Sequence, residues 1–253
     1  MKGKGWSVLV ALLPCAAMAE GTFTVSSGLD YSTGKYGSSQ KTDTVYVPLI
    51  GKYETGPWTF RVTVPWVSIT GPGGVVGSGP DRVTVDGVLR TRRTTESGLG
   101  DIVTGATFTV LEQGSWVIDV GAKIKWGTGS ESRGLGTGKE DLTVQADIYR
   151  SFGPASVFTT IGYKRMGDPD GVEFRNPVFA SIGLAHRIAA GTTVGMSYDW
   201  RDRLRPSSAQ IQEVTAFASH RLSDAWKAQA YAVTGFSDAS PDFGVGIIVG
   251  RMY

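Results

Sequence analysis

The C-terminal stretch Phe243-Gly244-Val245-Gly246-Ile247-Ile248-Val249-Gly250-Arg251-Met252-Tyr253 limits the folds open to this chain more than any other segment. Phe243, Val245, Ile247, Val249 and Tyr253 share one phase, while Gly244, Gly246 and Gly250 fall on the other. A period of two belongs to a strand with unlike faces. The free end of such an apolar strand would present unpaired N–H and C=O groups, a template for aggregation. A barrel closed within a bilayer removes that edge. One face then meets lipid, and a terminal aromatic sits at the interface.

At the other end, Lys2 and Lys4 precede an apolar run from Trp6 to Leu13, and Ala17-Met18-Ala19 supplies a small-residue cleavage site. This is the anatomy of a secretory signal peptide over residues 1–19, with Glu20 as the first mature residue. The run is too short for a membrane helix, which needs about 20 residues. The only cysteine, Cys15, lies inside it. Leu12-Leu13-Pro14-Cys15 faintly resembles a lipoprotein signal, but Pro14 fits that signal poorly, so cleavage after Ala19 is expected. The mature chain then has no thiol and no disulfide. The full sequence carries 25 Lys and Arg against 23 Asp and Glu, and the two leader lysines account for the excess. A neutral mature chain gives no sign of a nucleic-acid partner, and its length suits one domain, residues 20–253.

No mature segment is apolar enough for a membrane helix. What recurs is alternation over about ten residues, the mark of a membrane strand. Phe23, Val25, Leu29 and Tyr31 share a phase, as do Val45, Val47, Leu49 and Tyr53, then Trp58, Phe60, Val62, Val64 and Trp66. Ile102, Ala106, Phe108 and Val110 follow, and then Trp116, Ile118, Val120, Ala122, Ile124 and Trp126, with an aromatic at each end. Residues 142–148, 157–163, 178–184, 194–200, 214–218, 226–236 and 243–253 continue the series. Tight links at Gly56-Pro57, 112–115, 152–154, Ala190-Gly191 and Ser223-Asp224 alternate with long polar ones at 71–97, 127–140, 167–176 and 201–210. The pattern predicts an all-β fold: a single transmembrane antiparallel β-barrel of about 12 strands, with short periplasmic turns and long outer loops. The location that follows is the outer membrane of a Gram-negative bacterium.

Charge must avoid the lipid phase, because Lys or Arg at the bilayer midplane costs about 2–4 kcal/mol. Asp30, Lys52, Arg61, Asp119, Lys123, Lys125, Asp147, Lys164, Asp199 and Lys227 all take the phase opposite the large apolar residues. Arg150, Arg165 and Arg251 are exceptions near strand ends, where a long side chain reaches the headgroups. With Asp101, the inward charges are the candidates for lumen lining and selectivity. They carry both signs, and they either pair and fill the lumen or line a narrow wet path.

Two segments carry a family resemblance. Val64-Pro65-Trp66-Val67-Ser68-Ile69-Thr70-Gly71 is followed by Ser97-Gly98-Leu99-Gly100-Asp101-Ile102. Trp126-Gly127-Thr128-Gly129 is followed by Gly136-Thr137-Gly138-Lys139-Glu140-Asp141-Leu142. This first half of the mature chain resembles the bacterial outer-membrane family named for the MetA pathway of phenol degradation. The resemblance implies a barrel that takes up small, often hydrophobic compounds. The ending, Phe243 to Tyr253, also resembles the closing strand by which outer-membrane proteins are recognised by the barrel-assembly machinery.

Gly98 and Gly100 would let the backbone bulge where a long loop re-enters the barrel. Asp101 would then point inward near the mouth, bonded to loop amides or touching a solute. Gly136-Thr137-Gly138-Lys139-Glu140 superficially resembles a phosphate loop, but it lacks the first spaced glycine and has Glu140 where a hydroxyl is required. Asp168-Pro169-Asp170-Gly171-Val172-Glu173 does not follow calcium-loop spacing and reads as a turn. Arg90, Arg92 and Arg93 either meet lipopolysaccharide phosphates or form a solvated loop. His186 and His220 fall near periplasmic turns, with no nucleophile–base pattern, so no catalytic residue, metal or cofactor is expected.

The function expected is passive uptake of small hydrophobic or aromatic solutes, by a gated or lateral route through a narrow barrel. The alternative is a non-transporting barrel with an envelope or loop-binding role. Its partners are then outer-membrane lipid and lipopolysaccharide. If Phe243–Tyr253 is the assembly signal, deleting Tyr253 lowers the amount of heat-modifiable, folded protein in outer-membrane fractions. Unchanged assembly of that deletion contradicts the assignment.

Overall fold

The computed structural model describes residues 21–77, 82–84, 93–169 and 171–253. Residues 1–20, with Cys15 and the expected leader, together with Arg90, Arg92 and Asp170, lie outside the described residues. Each alternating segment forms a strand: β1 (Gly21–Gly34), β2 (Thr42–Thr55), β3 (Trp58–Gly71), β4 in two parts (Thr94–Leu99 and Val103–Gln113), β5 (Trp116–Lys125) and β6 (Asp141–Phe152). The second half continues with β7 (Ala155–Arg165), β8 (Val178–Ala189), β9 (Thr192–Arg201), β10 (Ile211–Arg221), β11 (Trp226–Gly235) and β12 (Phe243–Met252). Each pairs antiparallel with the next, giving the predicted barrel of 12 strands. β12 returns to β1 in a register running from Thr24 opposite Met252 to Thr33 opposite Phe243. The tight turns fall where expected, with Gly56 and Gly114 at φ 52° and 61° making reversals that an L side chain would strain.

The fourth strand differs from expectation. It starts at Thr94, inside the region read as a long loop, and breaks at residues 100–102 rather than beginning there. Trp66 pairs with Leu99 and Thr63 with Val103, so Val64 and Pro65 face three residues of β4. Pro65 has no N–H to give the ladder. Its carbonyl instead accepts the Gly100 N–H at 3.0 Å. This bulge is what turns Asp101 inward.

The outward phase forms an apolar belt that includes Leu49, Ile161, Ile182, Leu184, Met196 and Ile247, all exposed. Trp58, Trp116 and Trp226 lie beside the short turns, and Trp66 and Trp126 at the opposite rim. Two of the outward arginines are held by this girdle. The Arg150 guanidinium lies 4.6 Å over both Trp116 and Phe152, and Arg251 lies 5.6 Å over Trp226 and 4.8 Å over Tyr253.

The inner phase is less polar than the sequence suggests. Phe158, Phe179, Phe217 and Tyr231 point inward and lie over Gly183, Gly162, Gly195 and Gly246, the residues directly opposite them on neighbouring strands. A Cβ at any of these glycines would overlap the ring. Gly246 therefore seats Tyr231 and does not widen the lumen.

Outer loops fold over the barrel mouth. Val83, Met166, Phe174 and Leu204, from three loops, bury one another. Leu135, 1% exposed, packs on Val67 and Ile69. The Gly77 N–H donates to the Gly134 carbonyl at 3.0 Å and ties two loops together. If the belt meets lipid, Ile182→Arg destabilises the barrel by about 2–4 kcal/mol, read by urea unfolding in vesicles. A change within about 0.5 kcal/mol, usual for an aqueous surface, contradicts lipid contact.

Candidate functional site in the barrel lumen

The inward phase encloses a cavity of about 600 Å³. Asp30, Arg61, Lys123, Lys125, Lys164 and Asp199 line it, together with Tyr46, Phe179, Tyr231, Val103 and Val233. The strand register puts Lys52, Asp119, Asp147 and Lys227 on the same inner face, nearer the periplasmic turns.

One wall carries a tight charge network. Lys125, 4% exposed, donates to Asp101 at 2.8 Å, to the Thr137 hydroxyl at 2.9 Å and to the Lys139 carbonyl at 2.9 Å. Asp141, fully buried, lies 3.5 Å from Lys125 and 3.8 Å from Lys164. The second Asp101 oxygen accepts the Gly129 N–H at 2.8 Å, and Asp141 accepts the Gly167 N–H at 3.0 Å. Both carboxylates thus hold outer loops against the barrel wall, so Asp101 bonds to a loop amide and to a lysine at once. Gly136 passes so close to Asp101 that a side chain there would collide with the carboxylate.

The facing wall is acidic. The Tyr231 hydroxyl donates to Asp30 at 2.7 Å, and the Ser197 hydroxyl to Asp199 at 2.9 Å. Glu213 on β10 pairs with Arg82 at 2.9 Å, and the Arg82 guanidinium lies 5.0 Å over the Tyr36 ring. Burial pushes the Tyr36 hydroxyl up from its ordinary value, and the Arg82 charge opposes that shift. Arg82 belongs to the loop after β3, so a loop cation reaches into the mouth. Lower down, Asp147 accepts from Gln145 at 2.7 Å and Thr160 at 2.6 Å, and Lys52 pairs with Glu54 at 2.6 Å.

Outside the lumen, Asp168 accepts the Phe174 N–H at 2.8 Å as a turn residue does, and Arg93 pairs with Asp43. His220 shares a 2.8 Å hydrogen bond with Thr192. Among the described residues, no group of three His, Cys, Asp or Glu side chains converges as metal ligands would.

Sequence reasoning missed Glu213, Arg82, Tyr46 and the inward aromatic rings. Glu213 carries the needed signal, since it lies on the inner phase of β10. Arg82 carries none, because its position depends on how a loop folds back.

A crystal structure of the COG4313 outer membrane channel from Pseudomonas putida F1 superposes with a TM-score of 0.70 at 15% identity, over 94% of this chain and 97% of that one. The fold is that of a bacterial outer-membrane barrel. The KdgM porin matches at TM-score 0.56 and 8% identity, over 90% of this chain and 98% of that chain. The translocator domain of the autotransporter NalP from Neisseria meningitidis also matches at 0.56, with 9% identity, over 93% and 89%. No protein-family model matches this chain, and no curated protein matches its sequence. A channel, a porin and a translocator share this architecture, so function must be argued from the lumen.

Lys125→Met leaves Asp101 and Asp141 without their shared cation and should cost about 3–5 kcal/mol. Faster proteolysis of the 127–140 loop in the folded variant is the expected readout. Unchanged cleavage and stability contradict the loop-anchoring role.

Proposed function

We propose that this barrel is a passive outer-membrane channel for small hydrophobic or aromatic solutes. The observation that carries the reading is the internal cavity of about 600 Å³, whose charged walls are interleaved with Tyr46, Phe179, Tyr231, Val103, Ile211 and Val233. Flat apolar surface beside fixed polar groups suits an aromatic solute with a polar substituent. The resemblance of the Val64–Gly71 and Ser97–Ile102 segments, and of Trp126–Gly129 with Gly136–Leu142, to the MetA-pathway family supports the same solute class. The lumen charges act by selectivity, and no catalytic step is assigned to them.

The Leu135 and Val83–Phe174 clusters pack loops over part of the mouth, so a solute entering there passes beside them or through a gap in the wall. A second hollow of about 260 Å³ lies among Ile69, Val75, Arg133 and Val172 under these loops, a place for capture from outside. The wall is interrupted where β4 breaks at residues 100–102 beside Pro65, which has no N–H to give the β3–β4 ladder. An apolar solute leaving sideways there avoids the charged lower lumen. The partly covered mouth also favours the second reading, a non-transporting barrel whose loops contact lipopolysaccharide or another envelope partner.

Purified protein in planar bilayers should give discrete conductance steps. Proteoliposomes should take up toluene or phenol faster than protein-free vesicles. Absence of current together with unaltered aromatic uptake contradicts the channel and leaves the second reading.

A further inference from the structure

Near the periplasmic end, the inner face carries two like-charged pairs. Lys52 on β2 stands directly opposite Arg61 on β3, and Arg221 on β10 directly opposite Lys227 on β11. Like charges set across from one another weaken a strand pair. The charged groups whose fields reach Lys227 are Lys52, Arg61 and Arg221, against the single carboxylate of Glu54. The two pairs therefore flank one stretch of the barrel wall, two strands apart. Glu54 is already bonded to Lys52 at 2.6 Å, and among the described residues no ion pair joins Arg61, Arg221 or Lys227 to a carboxylate.

The strands between the pairs are the seam, β12 and β1, and they bring small residues to the inner face. Gly250 is the partner of both Lys227 and Ser26, and Thr24 is the partner of Lys52. Ser26 lies so close over Gly250 that a side chain there would collide with its hydroxyl. Thr24 is 2% exposed, and its hydroxyl oxygen has no hydrogen-bond partner in the structure. The result is a shallow floor of small residues between basic walls. Tyr149, inward on β6, lies within the fields of Asp147, Asp119 and Arg61 and adds an aromatic face.

We propose that Lys52, Arg61, Arg221 and Lys227, over Ser26 and Gly250, form a cradle for the carboxylate of a small organic anion in the periplasmic half of the lumen. Two arginines offer paired N–H groups to one carboxylate, and the lysines add point charges. Inside a walled lumen these charges are screened less than on an open surface. An anion gains from all four, a neutral isostere gains little, and an organic cation is repelled. The inference rests on the channel reading for how a solute reaches the cradle, though binding itself does not depend on conduction.

Titration of the folded barrel in detergent with benzoate, benzyl alcohol and benzylammonium tests it by calorimetry. Benzoate should bind at least about tenfold more tightly than benzyl alcohol, with affinity falling as salt rises. Arg61→Gln combined with Lys227→Gln should reduce benzoate affinity at least about tenfold and leave benzyl alcohol unchanged, while Lys227→Arg retains binding. Both Gln substitutions relieve like-charge repulsion and should fold at least as well as the parent, as heat-dependent gel mobility will show. Equal affinity for benzoate and benzyl alcohol, or an unaltered benzoate affinity in the double variant, overturns the cradle. Benzoate binding with neither bilayer current nor faster aromatic uptake keeps the cradle and rejects the channel, whereas current without preference for benzoate does the reverse.

Discussion

Hydrogen-bond closure between β12 and β1 is the constraint on which the rest of the structure depends. In a bilayer core an unpaired backbone N–H or C=O finds no water, so a spanning sheet must have no edge. The ladder from Thr24–Met252 to Thr33–Phe243 meets that demand. Its last step is a pair of main-chain bonds between Phe23 and Tyr253, at 2.8 and 3.4 Å, with the two rings 6.4 Å apart. The terminal aromatic therefore finishes the cylinder as well as anchoring it at the interface. Gly246 and Gly250 on the same strand let neighbouring side chains lie flat against the seam from inside.

Once the cylinder is closed, its two faces obey opposite rules. Lipid excludes charge from the outer face, and the outward arginines at positions 150 and 251 are tolerated because they lie over aromatic rings at the rim. The inner face accepts charge but must satisfy it. Near the outer mouth the opposite charges are paired: Lys125 and Lys164 serve Asp101 and Asp141, Arg82 serves Glu213, and the loops so anchored bury an apolar cap. Toward the periplasm, like charges stand opposite one another and are left to water or a solute. The lumen is thus ion-paired near its outer mouth and sets like charges of both signs opposite one another toward the periplasm.

The strands were legible because lipid enforces a period of two, and that period survives along the wall from Phe23 to Tyr253 apart from the break at 100–102 and the register shifts at 109–111 and 187–189. The loop sorting was legible for the same reason, since short turns and long loops fall on different sides of the membrane. Side chains inside were only half legible. Inward charges such as Lys125 and Asp199 announce themselves, whereas Phe158 and Phe217 do not, because an apolar residue on the wrong phase makes sense only beside the glycine it covers. The bulge at residues 100–102 was visible in its glycines, but its partner, Pro65, lies far away in sequence. Arg82 was beyond reach, because a loop's path across the mouth leaves no periodic trace.

The central claim is that one strand phase faces lipid and the other a wet lumen. With residues 1–19 removed the chain contains no cysteine, so single cysteines along β5 report each face without background. In liposomes, a charged thiol reagent should label cysteines at 119, 121 and 123, while cysteines at 118, 120 and 122 should react only with a lipid-soluble maleimide. Equal labelling of both phases by the charged reagent would contradict the account.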